Sequence, residues 1–171
     1  MTSKATSLSM QRLAMAGLVE FGLPRAQVKR LRHFFVTGDI DDLLTGKIQA
    51  NPEFPCVNAD FEIGKFVRGY IIGVSRKHQS KCELKWLQGS DEVWVYCFRD
   101  PKPGWRLFGR FIGKNIFVGL HCVSREEAGD LIQYTKQSRI MVDKWNAIFP
   151  NESPFIGNSF ADYLGDLVVE R

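Results

Sequence analysis

Residues 13–35 read LAMAGLVEFGLPRAQVKRLRHFF, and the division of this stretch sets the architecture of the N-terminal part of the chain. Its start continues an apolar helix spanning Leu8–Phe21, which Gly22 stops. Pro24 suits the first position of a second helix, because its missing N–H would be unpaired there in any case. That helix extends to about Val36, and Thr37-Gly38 ends it. Asp39 caps a short third helix, Ile40 to Leu44, closed by Gly46.

On the second helix, Arg25, Lys29, Arg32 and His33 fall at i, i+4, i+7 and i+8 and share one face. Val28, Leu31 and Phe35, at i, i+3 and i+7, form a different, dry face that packs on the first helix. Phosphate contacts give affinity for nucleic acid, and long polar side chains read base edges. Arg25 and Gln27 lie at the N-terminal end of the helix, the part that enters a major groove. Gly22, Leu23, Val28 and Leu31 resemble the turn and packing positions of helix-turn-helix DNA-binding families. Gly22-Leu23-Pro24-Arg25 looks like the turn of MerR-like regulators. The resemblance covers about 22 residues, and Leu18 stands where those families often carry a small residue. It implies a DNA-binding face of Arg25, Gln27, Lys29, Arg32 and His33. The other reading of the same residues is a plain helical hairpin with a solvated basic face.

The 171 residues suit one domain, or one with a small appendage, and 44% are hydrophobic and 25% charged, as in ordinary globular proteins. No apolar run approaches the ~18 residues of a membrane span, and no signal peptide is visible, so a cytoplasmic protein without a membrane partner is expected. Cys56, Cys82, Cys97 and Cys122 match no zinc spacing and read as reduced, mostly buried thiols. Neither metal nor cofactor is expected.

Charge is uneven. Residues 1–63 hold seven basic and seven acidic groups, residues 64–125 hold twelve and four, and residues 126–171 hold four and eight. A middle third this basic suits an anionic partner, or a solubilising sheet face partly neutralised by acidic C-terminal helices. Strand signals run over Lys65–Ser75, Cys82–Leu87, Glu92–Arg99, Trp105–Ile112 and Ile116–Val123, with short turns between most of them. Residues 126–148 return to helical spacing, Pro150 ends that helix, and Asn158 or Ser159 caps a last one burying Phe160, Tyr163, Leu164, Leu167 and Val168.

If Gly113-Lys114 is a two-residue turn, Trp105, Leu107, Gly109 and Phe111 share an apolar face that meets the long helix. Arg106, Phe108, Arg110, Phe117 and His121 then share the other face. A pairing of Asp100 with Trp105 sets Arg99 opposite Arg106. Arg99, Arg106, Arg110 and His121 thus form a basic sheet face with interleaved aromatics, as nucleic-acid surfaces have. Glu83, Lys85, Arg99, Arg106 and His121 have the types needed for RNA cleavage: arginines stabilise a charged phosphorane, and a Glu or His moves protons. The order Lys85, Trp86, Leu87, Gly89, Trp94, Trp105-Arg106, Leu120-His121 resembles the strand core of RelE/ParE-type toxins over about 40 residues. That resemblance implies roles for Lys85, Arg106 and Arg99. Ser124-Arg125-Glu126-Glu127 departs from the lysine-rich segment many relatives carry after the last strand.

The fold expected is α+β: an N-terminal helical hairpin or helix-turn-helix in 1–46, a linker in 47–63, and in 64–171 a five-stranded antiparallel meander packed by a long C-terminal helix. The expected function is nucleic-acid binding, with a DNA-binding regulator first, RNA as the other nucleic acid, and a homodimer as a further partner. A RelE-like ribonuclease using the sheet and a non-enzymatic protein-interaction domain are the alternatives.

Overall fold

A computed structural model describes residues 4–22, 29–78, 80–87, 89 and 91–171, with side chains of the first helix from Met10 onward. The described chain builds α1 (Lys4–Met15), β1 (Val19–Glu20), β2 (His33–Val36), α2 (Gly38–Leu44), α3 (Cys56–Val67), β3 (Ile72–Ser75) and β4 (Leu84–Trp86). It continues through β5 (Trp94–Phe98), β6 (Trp105–Gly113), β7 (Ile116–Ser124), α4 (Arg125–Ala128), α5 (Leu131–Ile148), α6 (Phe160–Leu164) and β8 (Val168–Glu170). One mixed sheet has the order β1-β2-β7-β6-β5-β4-β3-β8.

The centre is the expected antiparallel meander, β4 to β7. The expected five-strand meander is incomplete because its outer pairings are parallel: β2 lies along β7, and β3 pairs with both β4 and β8. Long stretches of sequence separate β2 from β7 and β3 from β8, whereas β3 and β4 are joined by the loop 76–83, and short turn signals announce none of these parallel pairs.

The N-terminal segment is not the expected pair of helices. α1 ends at Met15, and Gly17, with φ 76°, turns the chain into β1. Residues 33–36, placed in a second helix by their spacing, form β2. Their aromatic and β-branched side chains fit a pleated surface buried on both sides. Residues 23–28 lie outside the described residues. The expected linker 47–63 contains the start of α3, whose Ala59, Ile63, Phe66 and Val67 pack into the core. α3 extends through Val67, so the strand expected from Lys65 begins only at Ile72. The long helix breaks at Gly129 (φ 62°), which separates α4 from α5. Asp130 caps α5 by accepting from the N–H groups of Ile132 and Gln133. Residues 168–170 are strand rather than helix.

The sheet is buried on both faces. Phe34, Tyr96, Leu107, Phe111 and Phe117 pack with α3 and α6 residues on one side. Phe35, Val95, Phe108 and Val118 pack with Tyr134, Met141 and Trp145 of α5 on the other. The expected hairpin register is displaced. Gly113 pairs with Ile116, Lys114 and Asn115 lie between them, and Asn115 has φ 65°. Irregularities at Phe108/Gly109 and Phe111/Gly113 shift the ladder, so Arg106 faces Val123 and Phe108 faces His121. Arg106 also lies opposite Cys97, not Arg99. The apolar face meets α3 and α6, while α5 covers the arginine face.

Candidate anion-binding site

Because the strand period is two, Lys85, Arg106 and Arg110 project to the α5 side while Leu84, Leu107 and Phe111 go to the other core. Arg106 is only 4% exposed. Its Nε donates to Tyr134 Oη at 3.0 Å, and its Nη1 donates to the carbonyls of Phe98 at 3.2 Å and Trp105 at 2.8 Å. Arg106 therefore braces, through Tyr134, the wall of a cleft.

The cleft, about 180 Å³, lies between α5 and the segment after β3. Its basic lining is Arg76, Lys77, His78 and Lys85, and no acid lines it among the described residues. Tyr134 and Ser138 complete one wall and Leu87 and Leu131 the rim. Lys85 donates to the carbonyl of His78, which ties β4 to the loop. The His78 ring meets the Tyr134 ring edge-on, with centroids 4.5 Å apart. Its Nδ1 is buried without a hydrogen-bond partner. Burial lowers the His78 pKa, and the positive charges of Lys85, Arg125 and Arg106 lower it further against a smaller opposing effect of Asp130. Burial likewise lowers that of Lys85. Cationic groups held this way gain from a bound anion, which relieves their mutual repulsion.

The five residues expected to cooperate in RNA cleavage are divided. Lys85 lines this cleft, with Arg106 behind it. Glu83 and Arg99 line a separate cleft of about 220 Å³ beside Lys81, Asp100 and Arg171. There Glu83 accepts from the Gly73 N–H at 3.0 Å, and Arg99 donates to the carbonyls of Ser80 and Cys82. His121 bonds Gln137 Oε1 through Nε2 at 2.6 Å, and burial lowers its pKa. The sheet face of Arg99, Arg106, Arg110 and His121 is packed against α5 or engaged in local bonds, so it presents no open basic surface.

The residues expected to face DNA are dispersed too. Arg25 and Gln27 lie outside the described residues, and Lys29 is exposed. Arg30 pairs with Glu20 at 2.8 Å, and His33 Nδ1 lies 2.8 Å from the same oxygen. The His33 hydrogen bond and the Arg30 charge hold the Glu20 carboxyl below its usual range. Arg32 is 1% exposed, with its guanidinium on the carbonyls of Phe66, Tyr70, Leu164 and Leu167. It ties β2 to α3 and to the C-terminal segment, away from any ligand.

Sequence reasoning missed Arg76, Lys77, His78 and Tyr134. The run Arg76-Lys77-His78 was visible as charge in a loop, and only the folding of that loop against α5 makes it a wall. The four cysteines are free thiols. Among the described residues no group of three or more His, Cys, Asp or Glu is placed to hold a metal ion, and no helix is long and apolar enough to cross a membrane. No protein-family model, curated protein or solved structure matches this chain.

Proposed function

We propose that this protein binds nucleic acid through the cleft between α5 and the Arg76–His78 segment, taking a phosphodiester group among Lys77, His78 and Lys85. The observation that carries the reading is the convergence of four basic side chains on one cleft that, among the described residues, no acid lines. Phosphate neutralisation is the dominant source of nucleic-acid affinity. A narrow cleft beside a helix suits a single strand better than a duplex, whose phosphates are spread over a broad cylinder. The first test is binding of labelled single-stranded and duplex oligonucleotides at two salt concentrations. Single-strand binding that weakens with salt supports the reading. Tighter binding of duplex returns the case to the DNA-regulator reading and the Lys29 region.

A ribonuclease reading is favoured by one observation, the placement of His78 beside Lys85 in the same cleft, where burial lowers the pKa of both. In this reaction the RNA 2′-oxygen attacks the adjacent phosphorus as the P–O5′ bond breaks, leaving a 2′,3′-cyclic phosphate and a 5′-hydroxyl. Neutral His78 accepts the 2′-hydroxyl proton, and the Lys85 ammonium supplies a proton to the departing 5′-oxygen. Incubation with a labelled single-stranded RNA tests it. Cleavage that is lost in Lys85→Ala supports it, and intact RNA removes it.

A further inference from the structure

The cationic cleft is one end of a longer groove. Arg76 and Leu87 line both it and a second cleft of about 530 Å³, together with Trp86, Asp91 and Glu92 in the latter. Asp91, Glu92 and Ile156 are in turn shared with a third cleft, of about 480 Å³, which adds Arg110, Asn146 and the acidic Glu152. Leu131, Thr135 and Ser138 line the first cleft, and Val142, Asn146 and Phe149 the third. Their spacing of three or four residues places them along one flank of α5, so the groove follows the helix.

Arg76 stands where the first two clefts join. Its guanidinium carbon lies 4.6 Å from the centroid of the Trp86 ring. Trp86 is itself stacked on Trp94, with centroids 5.3 Å apart and planes 6° from parallel. Phe160 supports the same guanidinium at 5.1 Å. An exposed guanidinium held by aromatic rings is a flat cationic platform, and arginine planes of this kind stack nucleobases.

Beside the platform, Asp91 and Glu92 occupy consecutive left-handed positions, φ 46° and 59°. Tyr163 donates to Glu92 Oε2. The carboxylates are acceptors only, so they suit a base edge that presents N–H donors. Beyond them, Arg110 is 4% exposed, its carbon lies 5.4 Å from the Trp145 centroid, and its buried Nε has no hydrogen-bond partner among the described residues. The groove thus alternates a cationic cleft, a stacking platform with acceptors, and a second guanidinium. The first two of these complement a phosphate followed by a base along one strand.

We infer that Arg76 stacks a base of a single-stranded polynucleotide, with the adjoining phosphate at Lys85, and that Asp91 and Glu92 favour guanine, whose adjacent N1–H and N2–H groups donate together. This rests on the proposed phosphodiester reading of the cleft.

The test is fluorescence anisotropy with labelled oligouridine and the same oligomer carrying one central guanine, in ribose and deoxyribose forms, against wild type, Arg76→Lys, Asp91→Asn and Lys85→Ala. Lysine keeps the charge and loses the plane. Wild type is expected to bind the guanine oligomer several-fold tighter than the uridine one, in whichever sugar series the protein prefers. Arg76→Lys is expected to lose about tenfold in affinity for the guanine oligomer, in the range of stacking losses. Asp91→Asn is expected to narrow the preference. Arg76→Lys binding as wild type does, or equal affinity for both oligomers, overturns the inference while salt-dependent binding sensitive to Lys85→Ala leaves the cleft reading standing. Absence of binding to every oligomer, or wild-type affinity in Lys85→Ala, overturns both.

Discussion

Arg106 Nε donates to Tyr134 Oη across 3.0 Å, joining the middle of the sheet to α5 with both residues buried. The same phenol ring is the surface against which His78 lies edge-on. The structural core and the candidate site therefore share one residue. Tyr134→Phe keeps the ring and removes the acceptor, so a buried guanidinium N–H loses its partner. The expected loss is about 1–3 kcal/mol of folding stability, measured by urea denaturation. The ring still supports His78, so oligonucleotide affinity is expected to change far less than in Lys85→Ala.

Arg32 gives the sharpest contrast between charge read in sequence and charge placed in structure. Its guanidinium serves four carbonyls from two separate parts of the chain. Burial brings its pKa down to about 10, so it remains charged at neutral pH. Arg32→Ala strips all four carbonyls of a donor and is expected to destabilise the fold by about 3 kcal/mol or more. Arg32→Lys has too few donors in the wrong geometry to restore them. Lys29→Ala, at an exposed position, is expected to stay within about 0.5 kcal/mol. Equal and small losses in both would contradict the placement of Arg32.

The two lowered histidines set a pH dependence of stability. Folding holds His78 and His121 below the ordinary value of 6.5, so between their folded and unfolded pKa values the unfolded chain binds more protons. Stability is therefore full above pH 6.5 and falls as the solution is acidified through the folded pKa values. Melting temperature measured from pH 8 to pH 5 is expected to decline below about 6.5. The double variant His78→Asn/His121→Asn is expected to flatten that decline. A bound phosphodiester reverses the local charge balance, so the His78 pKa is expected to rise on oligonucleotide binding, as read by NMR titration.

Gly109 sits at the irregularity of the β6–β7 ladder, where a Cβ would meet the Val118 carbonyl oxygen at 2.2 Å and the Phe117 ring at 2.6 Å. The obstruction by backbone leaves no cheap adjustment. Gly109→Ala is expected to destabilise by roughly 2 kcal/mol or more, in line with overpacking of a close core, and circular dichroism melts measure it.

The central strands were legible because each carries a local signature. Trp94, Tyr96 and Phe98 alternate with Val95 and Cys97, and turn residues bound Trp105–Gly113 and Ile116–Ser124. Helical spacing over 126–148 was legible for the same reason, though neither the break at Gly129 nor the cap at Asp130 was. The parallel pairs were not, since nothing near His33–Val36 marks its partner at Ile116–Gly119 some eighty residues later. His33–Val36 also shows how tertiary pairing overrides a helical pattern. Lys85 and Arg106 were found as residues of one sheet face, but the ladder irregularities and the covering helix decided what that face meets. The sequence gives no sign of where His78 lies, because its placement depends on contact with Tyr134, 56 positions away. No local pattern encodes that contact.

The most direct test of the account is the affinity of wild type and Lys85→Ala for a labelled single-stranded oligonucleotide, compared at low and moderate salt. The cleft predicts salt-weakened binding by wild type, a loss of about tenfold or more in Lys85→Ala, and a shallower salt slope in the variant, with one phosphate contact removed. Identical affinity and identical salt slope for the two proteins would contradict it.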